Sequence, residues 1–394
     1  MRAVVVGGAG SMGRWAVRGI ARLGGVDELL VADIDVARAQ TLVDEVGGPC
    51  VAVRLDATDP ATMAEVFAGC DVVLNTMGPF SIFARRILEA ALDHGCDYLD
   101  IDDDWESTVE AFELDERARE QGCRVVKGIG GSPGISNLCA VVAADRLDDV
   151  EEILTGWSMR GAVIEEEAAY PATSPAGAAV EHWLLQISGT IRAWAGGAPA
   201  DIRPLQRVLI DYPGLGRVAG RTVGHPEAVT LPRRFPGLRR SLNVTSGPDW
   251  LFDHARSVAA AYDAGRVSLQ EGAALLGEAT PPAERGVRDR LGTVWCHAVG
   301  TRGGERVAVS VEPAALPPGG MGGGTGTALA VGFDMLRRGV VGEPGVHTPE
   351  EVLDPAEFFA CLASFTSLER GQEPLVVREL VAPAPTTVSE GIAV

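Results

Sequence analysis

The chain has 394 residues, 46% of them hydrophobic, and a formal charge of −20. That length suits two or three domains with large cores, and that hydrophobic share excludes a disordered chain. The negative charge argues against nucleic acid, whose phosphates it would repel, and no apolar run reaches the roughly 18 residues of a membrane-crossing helix.

The first third alternates strand and helix. "RAVVV" (2–6) reads as a β-strand and "MGRWAVRGIARL" (12–23) as a helix with apolar residues at helical spacing. "ELLVAD" (28–33) is the next strand, and Asp35 caps the helix behind it. "CVAVRLD" (50–56) is followed by a helix with Pro60 at its first position. "CDVVLNT" (70–76), "DYLDI" (97–101) and "RVVKGIG" (124–130) are strands, separated by helices at 83–95 and 106–121. This βαβ alternation predicts an α/β fold, a Rossmann-type doubly wound parallel sheet over 1–137.

The alternation then loses its regularity. Residues 138–325 predict a second, α+β domain built on a more antiparallel sheet, with strands at 150–157, 207–212 and 306–312 and a long helix at 176–194. A helix at 326–339 and another at 356–364 are expected to return to the first domain, so that 326–370 belongs with it. Residues 371–394 read as a loose C-terminal tail. The seven cysteines (50, 70, 96, 123, 139, 296 and 361) form no CxxC pair and lie mostly in apolar runs. They suit a reducing cytoplasm better than a disulfide scaffold. The start carries no signal-peptide core, which adds to the cytoplasmic expectation.

"GGAGSMG" places Gly8, Gly10 and Gly13 in a G-x-G-x-x-G pattern between a strand and a helix. The first glycine permits the tight turn, the second lets pyrophosphate approach the backbone, and the third lets helix and strand pack closely. Gly8, Gly10, Ser11, Met12 and Gly13 are therefore the expected phosphate-binding turn. Asp33 stands 20 residues after Gly13, at the end of the second strand. Its carboxylate suits both ribose hydroxyls of an adenosine and repels a 2′-phosphate, so NAD is favoured over NADP. Arg38 lies on the following helix, which is expected to aim it elsewhere.

In an open parallel sheet, ligands bind beyond the carboxyl ends of the strands. Asp56 there either meets the adenine or caps a helix. Met77, Gly78 and Pro79, in "NTMGPF", are placed against the middle or nicotinamide half of the dinucleotide. "DIDDDWE" (100–106) bunches four aspartates and glutamates after Ile101; it is either a solvated helix start or a site where Asp102 or Asp103 meets a substrate amine. "GIGGSPGISN" (128–137) brings backbone near nicotinamide and substrate.

"VVVGGAGSMGRWAVRGIARL", "DVVLNTMGPF", "YLDIDDDWE" and "GGSPGISN" together resemble the successive motifs of the saccharopine dehydrogenase family. "GRVAGRTVGHPEAVTLPRRFPGLRR" (216–240) and the block at 322–359 extend the resemblance over most of the chain. The resemblance implies a nucleotide-binding domain, a middle domain for substrate and dimerisation, a homodimer, and hydride transfer at a C–N bond of an amino acid or amine with NAD or NADP. The stretch 158–177, with three glutamates, matches no single substrate of that family.

Such a reaction asks the protein mainly to position reactants and to handle one proton. Asp102, Asp103, Tyr170, His182 and His225 are the candidates for the proton, with His225 favoured because it lies in a family-like loop. Arg233 and Arg234 either hold a substrate carboxylate or form a surface pair. Asn137, Tyr170 and Thr325 are the other expected substrate contacts. The six histidines form no HxxxH set, so no metal is expected. Two other functions compete: an aminoalkyl transferase of the homospermidine synthase kind, which uses NAD transiently, and a non-catalytic dinucleotide-binding protein.

Overall fold

The computed structural model of the chain describes residues 1–159, 178–279 and 290–388. The chain falls into two units, the first formed by 1–138 and 314–374, the second by 139–313 and 375–394. In chain order the strands are β1 (Arg2–Val6), β2 (Glu28–Asp33), β3 (Cys50–Arg54), β4 (Val72–Asn75), β5 (Asp97–Asp100), β6 (Arg124–Val126), β7 (Asp149–Ser158), β8 (Ile191–Ala195), β9 (Ala198–Ile202), β10 (Arg207–Tyr212), β11 (Gly216–Thr222), β12 (Arg240–Ser246), β13 (Val294–Arg302), β14 (Glu305–Pro313), β15 (Gly345–His347), β16 (Leu375–Val381) and β17 (Thr387–Val388).

The first unit carries a parallel sheet in the order β15-β6-β5-β4-β1-β2-β3. Ala3–Val6 and Val72–Leu74 are wholly buried, as the continuous apolar runs of a two-faced parallel sheet require. The order reverses at β1, between β4 and β2, which is where such sheets open a crevice for ligands. On one face Val4, Leu30, Val73, Ile87 and Tyr98 share a core.

The helix Gly13–Leu23 packs against the helix Gly320–Arg337 through small residues. A Cβ on Gly19 would lie 2.6 Å from Ala330 Cβ, and one on Gly326 would lie 2.3 Å from Met12 O. This corrects the expected start at 326: the glycine-rich stretch before it is helical, because close packing outweighs the weak helix propensity of glycine. β15, which completes the sheet edge, had no signal in the sequence. The helix expected over 106–121 is two, Trp105–Phe112 and Asp115–Gln121.

The second unit holds a mixed sheet, β16-β14-β13-β7-β12-β11-β10-β17, with β8 paired to β12 and β9 to β8. Only β7 and β12 run parallel in it among the described pairs. Leu154, Val208, Ile210, Leu242, Val244 and Trp295 form a core on one face. The helix expected over 176–194 is shorter, Ala178–Gln186. Gly189 turns the chain at φ 60°, and Ile191–Ala195 then pairs as β8. The tail is corrected too. β16 pairs with β14 and β17 with β10, so both segments are ordered by backbone pairing.

Candidate functional site

The glycine turn is built by backbone contacts in the first unit. Gly7 and Gly8 N–H both donate to Ala32 O (2.9 and 3.0 Å), and Gly10 N–H donates to Gly7 O (2.9 Å). Gly7 has φ 72°, in the left-handed region where glycine carries no Cβ penalty. A Cβ on Gly13 would sit 2.2 Å from Gly7 O and 2.8 Å from Gly8 Cα, so no other residue fits. Met12 is the N-cap of the helix, half-buried, and Ser11 is exposed. The first N–H groups of a helix have no intrahelical acceptor. With the positive end of the helix dipole they suit phosphate oxygens.

Asp33 closes the turn. Its Oδ2 accepts from Ala9 N–H (3.2 Å) and its Oδ1 from Asp35 N–H (3.1 Å). These bonds hold the carboxylate against the turn, where the ribose of a bound dinucleotide would meet it. Asp35 caps its helix as expected, accepting from Ala37 and Arg38 N–H. Arg38 is not aimed away: its Nη2 donates to Ala9 O (3.1 Å). The side chain is long enough to fold back from the helix to the turn. Asp56 is not the cap of the helix Pro60–Phe67; Asp59 is. The Asp56 carboxylate accepts from Thr58 N–H (3.0 Å) and Oγ1 (2.6 Å).

The loop after β4 lies beside the turn. Thr76 Oγ1 donates to Val6 O (2.8 Å), and a Cβ on Gly7 would be 3.3 Å from Met77 Cβ. Nothing lies within 4 Å of a Cβ built on Gly78. Pro79 caps the helix Phe80–Asp93.

From Asn75 a buried chain of hydrogen bonds crosses the carboxyl ends of three strands. Asn75 Oδ1 accepts from Met77 N–H (2.9 Å), and its Nδ2 donates to Tyr98 Oη (3.0 Å). Tyr98 donates to Asp100 Oδ2 (3.0 Å). Lys127 Nζ donates to the same oxygen and to Asp102 Oδ2 (2.7 Å), and Ser107 donates to Asp102 as well. Asp100 also accepts from Gly128 N–H at Oδ1 (2.8 Å) and from Ile129 N–H at its carbonyl (2.7 Å). One ammonium and one carboxylate therefore pin the glycine loop after β6 to the end of β5.

Asp100, Asp102 and Lys127 are 0%, 0% and 2% exposed. Burial raises Asp102 to about 7; Lys127 opposes this, and the neighbouring Asp100 adds to it. Burial works against the Lys127 ammonium, but its two carboxylates outweigh that and hold its pKa above the ordinary lysine value. Asp102 does face an amine, and that amine is the chain's own. Asp103 is half-buried beside it. Asn137 is buried; its Oδ1 accepts from Gly134 N–H (2.8 Å) and its Nδ2 donates to Glu350 Oε2 (2.8 Å). Thr325 packs its Cγ2 3.1 Å from where a Cβ on Gly130 would be.

The second unit holds His225. Val223 N–H donates to Asn243 O (3.1 Å), and Asn243 Oδ1 accepts from Ala228 N–H (2.9 Å). The loop 223–227 is thus fixed at both ends by β12. His225 Nδ1 lies 3.5 Å from Glu227 Oε2, with the two residues 3% and 0% exposed. The Trp157 ring lies 6.0 Å from the imidazole, centroid to centroid. His182 is on the helix Ala178–Gln186. Arg233 and Arg234 are exposed on the last turn of the helix Glu227–Arg234. Tyr170 and the three glutamates before it lie outside the described residues. Among the described residues no group of His, Cys, Asp or Glu side chains could hold a metal ion, and no helix is long and apolar enough to cross a membrane.

Sequence reasoning passed over Asn75, Tyr98, Asp100, Lys127 and Glu227. A lysine closing an apolar strand beside a carboxylate cluster was the available signal for Lys127.

Residues 4–126 match the family described as saccharopine dehydrogenase NADP binding domain. A probable mitochondrial saccharopine dehydrogenase-like oxidoreductase of Arabidopsis thaliana is 35% identical over 77 residues, 19% of this chain and 17% of that protein. Carboxyaminopropylagmatine dehydrogenase of a Synechocystis strain is 24% identical over 256 residues, 61% of each. The chain thus spans less than two thirds of either relative's length. In fold it is similar to apo saccharopine dehydrogenase (L-Glu forming) of Saccharomyces cerevisiae, with a TM-score of 0.60 at 16% identity over 97% of this chain and 99% of that one. It is also similar to homospermidine synthase of Legionella pneumophila, solved in complex with NAD, with a TM-score of 0.57 at 12% identity over 96% and 90% of the two chains. The stretch 4–126, which carries the glycine turn and Asp33, is thus similar to the NADP-binding domain of saccharopine dehydrogenases, and the whole chain shares the fold of saccharopine dehydrogenase.

Proposed function

We propose that this protein is an NAD(P)-dependent oxidoreductase that interconverts amine and imine at a C–N bond of an amino acid or amine. The observation that carries the reading is the glycine turn with Asp33 fixed against it, inside a family domain whose relatives include dehydrogenases. When bound, the dinucleotide supplies the hydride acceptor or donor. The turn holds its pyrophosphate, and Asp33 accepts from the ribose hydroxyls and favours NAD. The loops at 76–79 and 128–134 flank its nicotinamide half, held in place by the Asn75–Tyr98–Asp100–Lys127 chain.

His225 handles the substrate proton. The carboxylate of Glu227 lies beside Nδ1 and orients the ring for proton exchange with the substrate nitrogen. Asp103 is the second candidate. The working form is a cytoplasmic homodimer. In the structure all seven cysteines are free, in keeping with a reducing compartment.

The test is a panel of amino acids and polyamines with NAD and NADP, run in both directions and read by the absorbance of reduced nicotinamide. Net reduction or oxidation is expected, and His225→Asn should lower kcat by about a hundredfold or more. Turnover without net redox change would point to a transferase. Failure to bind either dinucleotide would overturn the reading.

A further inference from the structure

The helix Gly13–Leu23 carries Trp15, Arg18 and Arg22 on its flank, away from the glycine turn that opens it. Steps of three and four residues set these side chains on one helical stripe. In the first unit that stripe forms one wall of a cleft of about 130 Å³. Pro317 and Pro318, which precede the helix Gly320–Arg337, form the second wall, and Phe365, which follows the helix Pro355–Ala363, forms the third. None of these residues belongs to the dinucleotide turn, to the loops beside it or to the loop of His225. Ligand binding in the cleft is therefore independent of the amine–imine reaction.

The walls are apolar rings, but each end of the cleft lacks a polar partner. At one end, Trp15 Nε1 is buried and has no hydrogen-bond partner among the described residues. The indole is wedged in place, since a Cβ on Gly319 would lie 2.2 Å from its Cζ2. At the other end, Arg22 is exposed at the mouth. Its Nη2 donates to Ser364 O (2.7 Å), and its guanidinium lies 4.3 Å from the centre of the Phe365 ring. These contacts hold the planar group still, yet no carboxylate pairs with it among the described residues. Arg18, one turn back, differs. It lies over the Trp15 ring (5.2 Å), and its Nε and Nη2 both bind Glu45 (3.2 and 2.9 Å). One guanidinium is matched and the other is open, on a chain whose formal charge is −20.

We propose that this cleft binds an aromatic monocarboxylate with an oxygen at the far end of its ring. The open edge of Arg22 takes the carboxylate. The flat ring fills the space between the prolines and Phe365, where burial of its faces supplies the apolar part of the affinity. The far oxygen accepts from Trp15 Nε1. Trp15 and Arg22 are seven residues apart, about 10.5 Å along the helix axis, which suits one para-substituted benzene ring with a polar atom at each end. A single open cation matches a single negative charge, so a phosphate dianion or a dicarboxylate fits less well.

The experiment is titration calorimetry of the full chain with 4-hydroxybenzoate, benzoate and 4-hydroxybenzamide, the last having the same shape without the charge. 4-Hydroxybenzoate should bind tightest, benzoate about threefold or more weaker, and 4-hydroxybenzamide about tenfold or more weaker. Arg22→Gln, at an exposed position that folding does not depend on, should weaken 4-hydroxybenzoate about tenfold or more and leave 4-hydroxybenzamide as it was. Trp15→Phe keeps an aromatic wall and removes the N–H. It should bring 4-hydroxybenzoate down to the affinity of benzoate, a selective loss that a purely structural tryptophan would not show. No binding by the parent, or equal binding of the acid and its amide, would overturn the proposal. Binding that survives Arg22→Gln would place the anion elsewhere and overturn it as well.

Discussion

Two buried polar regions differ in one respect. In the first unit, Asp100, Lys127 and Asp102 meet each other's hydrogen-bonding needs with help from Tyr98, Ser107 and Gly128. In the second, Arg221, Thr245 and Trp157 each keep an unmatched atom. A satisfied buried network is scaffold: it fixes loops and has nothing left to offer a ligand. An unsatisfied one carries a cost that a ligand can recover. Both groups are polar and buried, but the first holds loops in place while the second keeps atoms that its neighbours leave unmatched.

The largest effect should come from breaking the satisfied network. Lys127→Met leaves two carboxylates buried without their cation, and loss of one member of such a group costs about 3–5 kcal/mol. Urea unfolding should show a lower midpoint with an unchanged slope. A loss below about 1 kcal/mol would mean that the ammonium is not the brace.

The same network gives a pH signature. The folded pKa of Asp102, about 7, lies above the 3.8 of an ordinary aspartate. The folded state therefore binds the proton more tightly. Its contribution to stability is complete below about pH 4 and is lost as the pH rises through 7. Stability should fall across that window by up to about 1.4 kcal/mol per pH unit. Asp102→Asn should flatten this portion of the profile, as read by unfolding at several pH values. An identical slope in the variant would refute it.

How far the sequence exposes these regions depends on distance along the chain. The glycine turn is legible because its parts lie within seven residues, and Asp33 because the next strand must return beside the first. Lys127 was hidden. Its partners lie 25 and 27 residues earlier, and only the pairing of β5 with β6 brings them together. The set Arg221, Thr245 and Trp157 needs three strands in register, and Trp157 lies 64 residues before Arg221 and 88 before Thr245. Local signals also misled where packing prevailed. The glycines at 320–326 read as a loop but form helix because their missing side chains admit Met12 and Trp15. "TIRAW" continued a helical pattern, yet Gly189 turned it into strand.

The smallest effect tests the boundary between scaffold and receptor at the turn itself. Asp33 uses one lone-pair direction of each oxygen on Ala9 and Asp35 N–H, and a carboxylate has about four such directions. It therefore braces the turn and still has capacity for a ribose diol. Arg38, bonded to Ala9 O, stands on the same turn with the opposite charge. Asp33→Ala should weaken NAD binding about tenfold and narrow the preference over NADP, because the repulsion of a 2′-phosphate goes with the carboxylate. Arg38→Ala should leave NAD within about threefold and weaken NADP further, since the nearby cation is what a 2′-phosphate would use. Fluorescence titration of reduced NAD and NADP on the parent and both variants measures all four changes. Equal loss of both dinucleotides in Asp33→Ala would make Asp33 a brace alone.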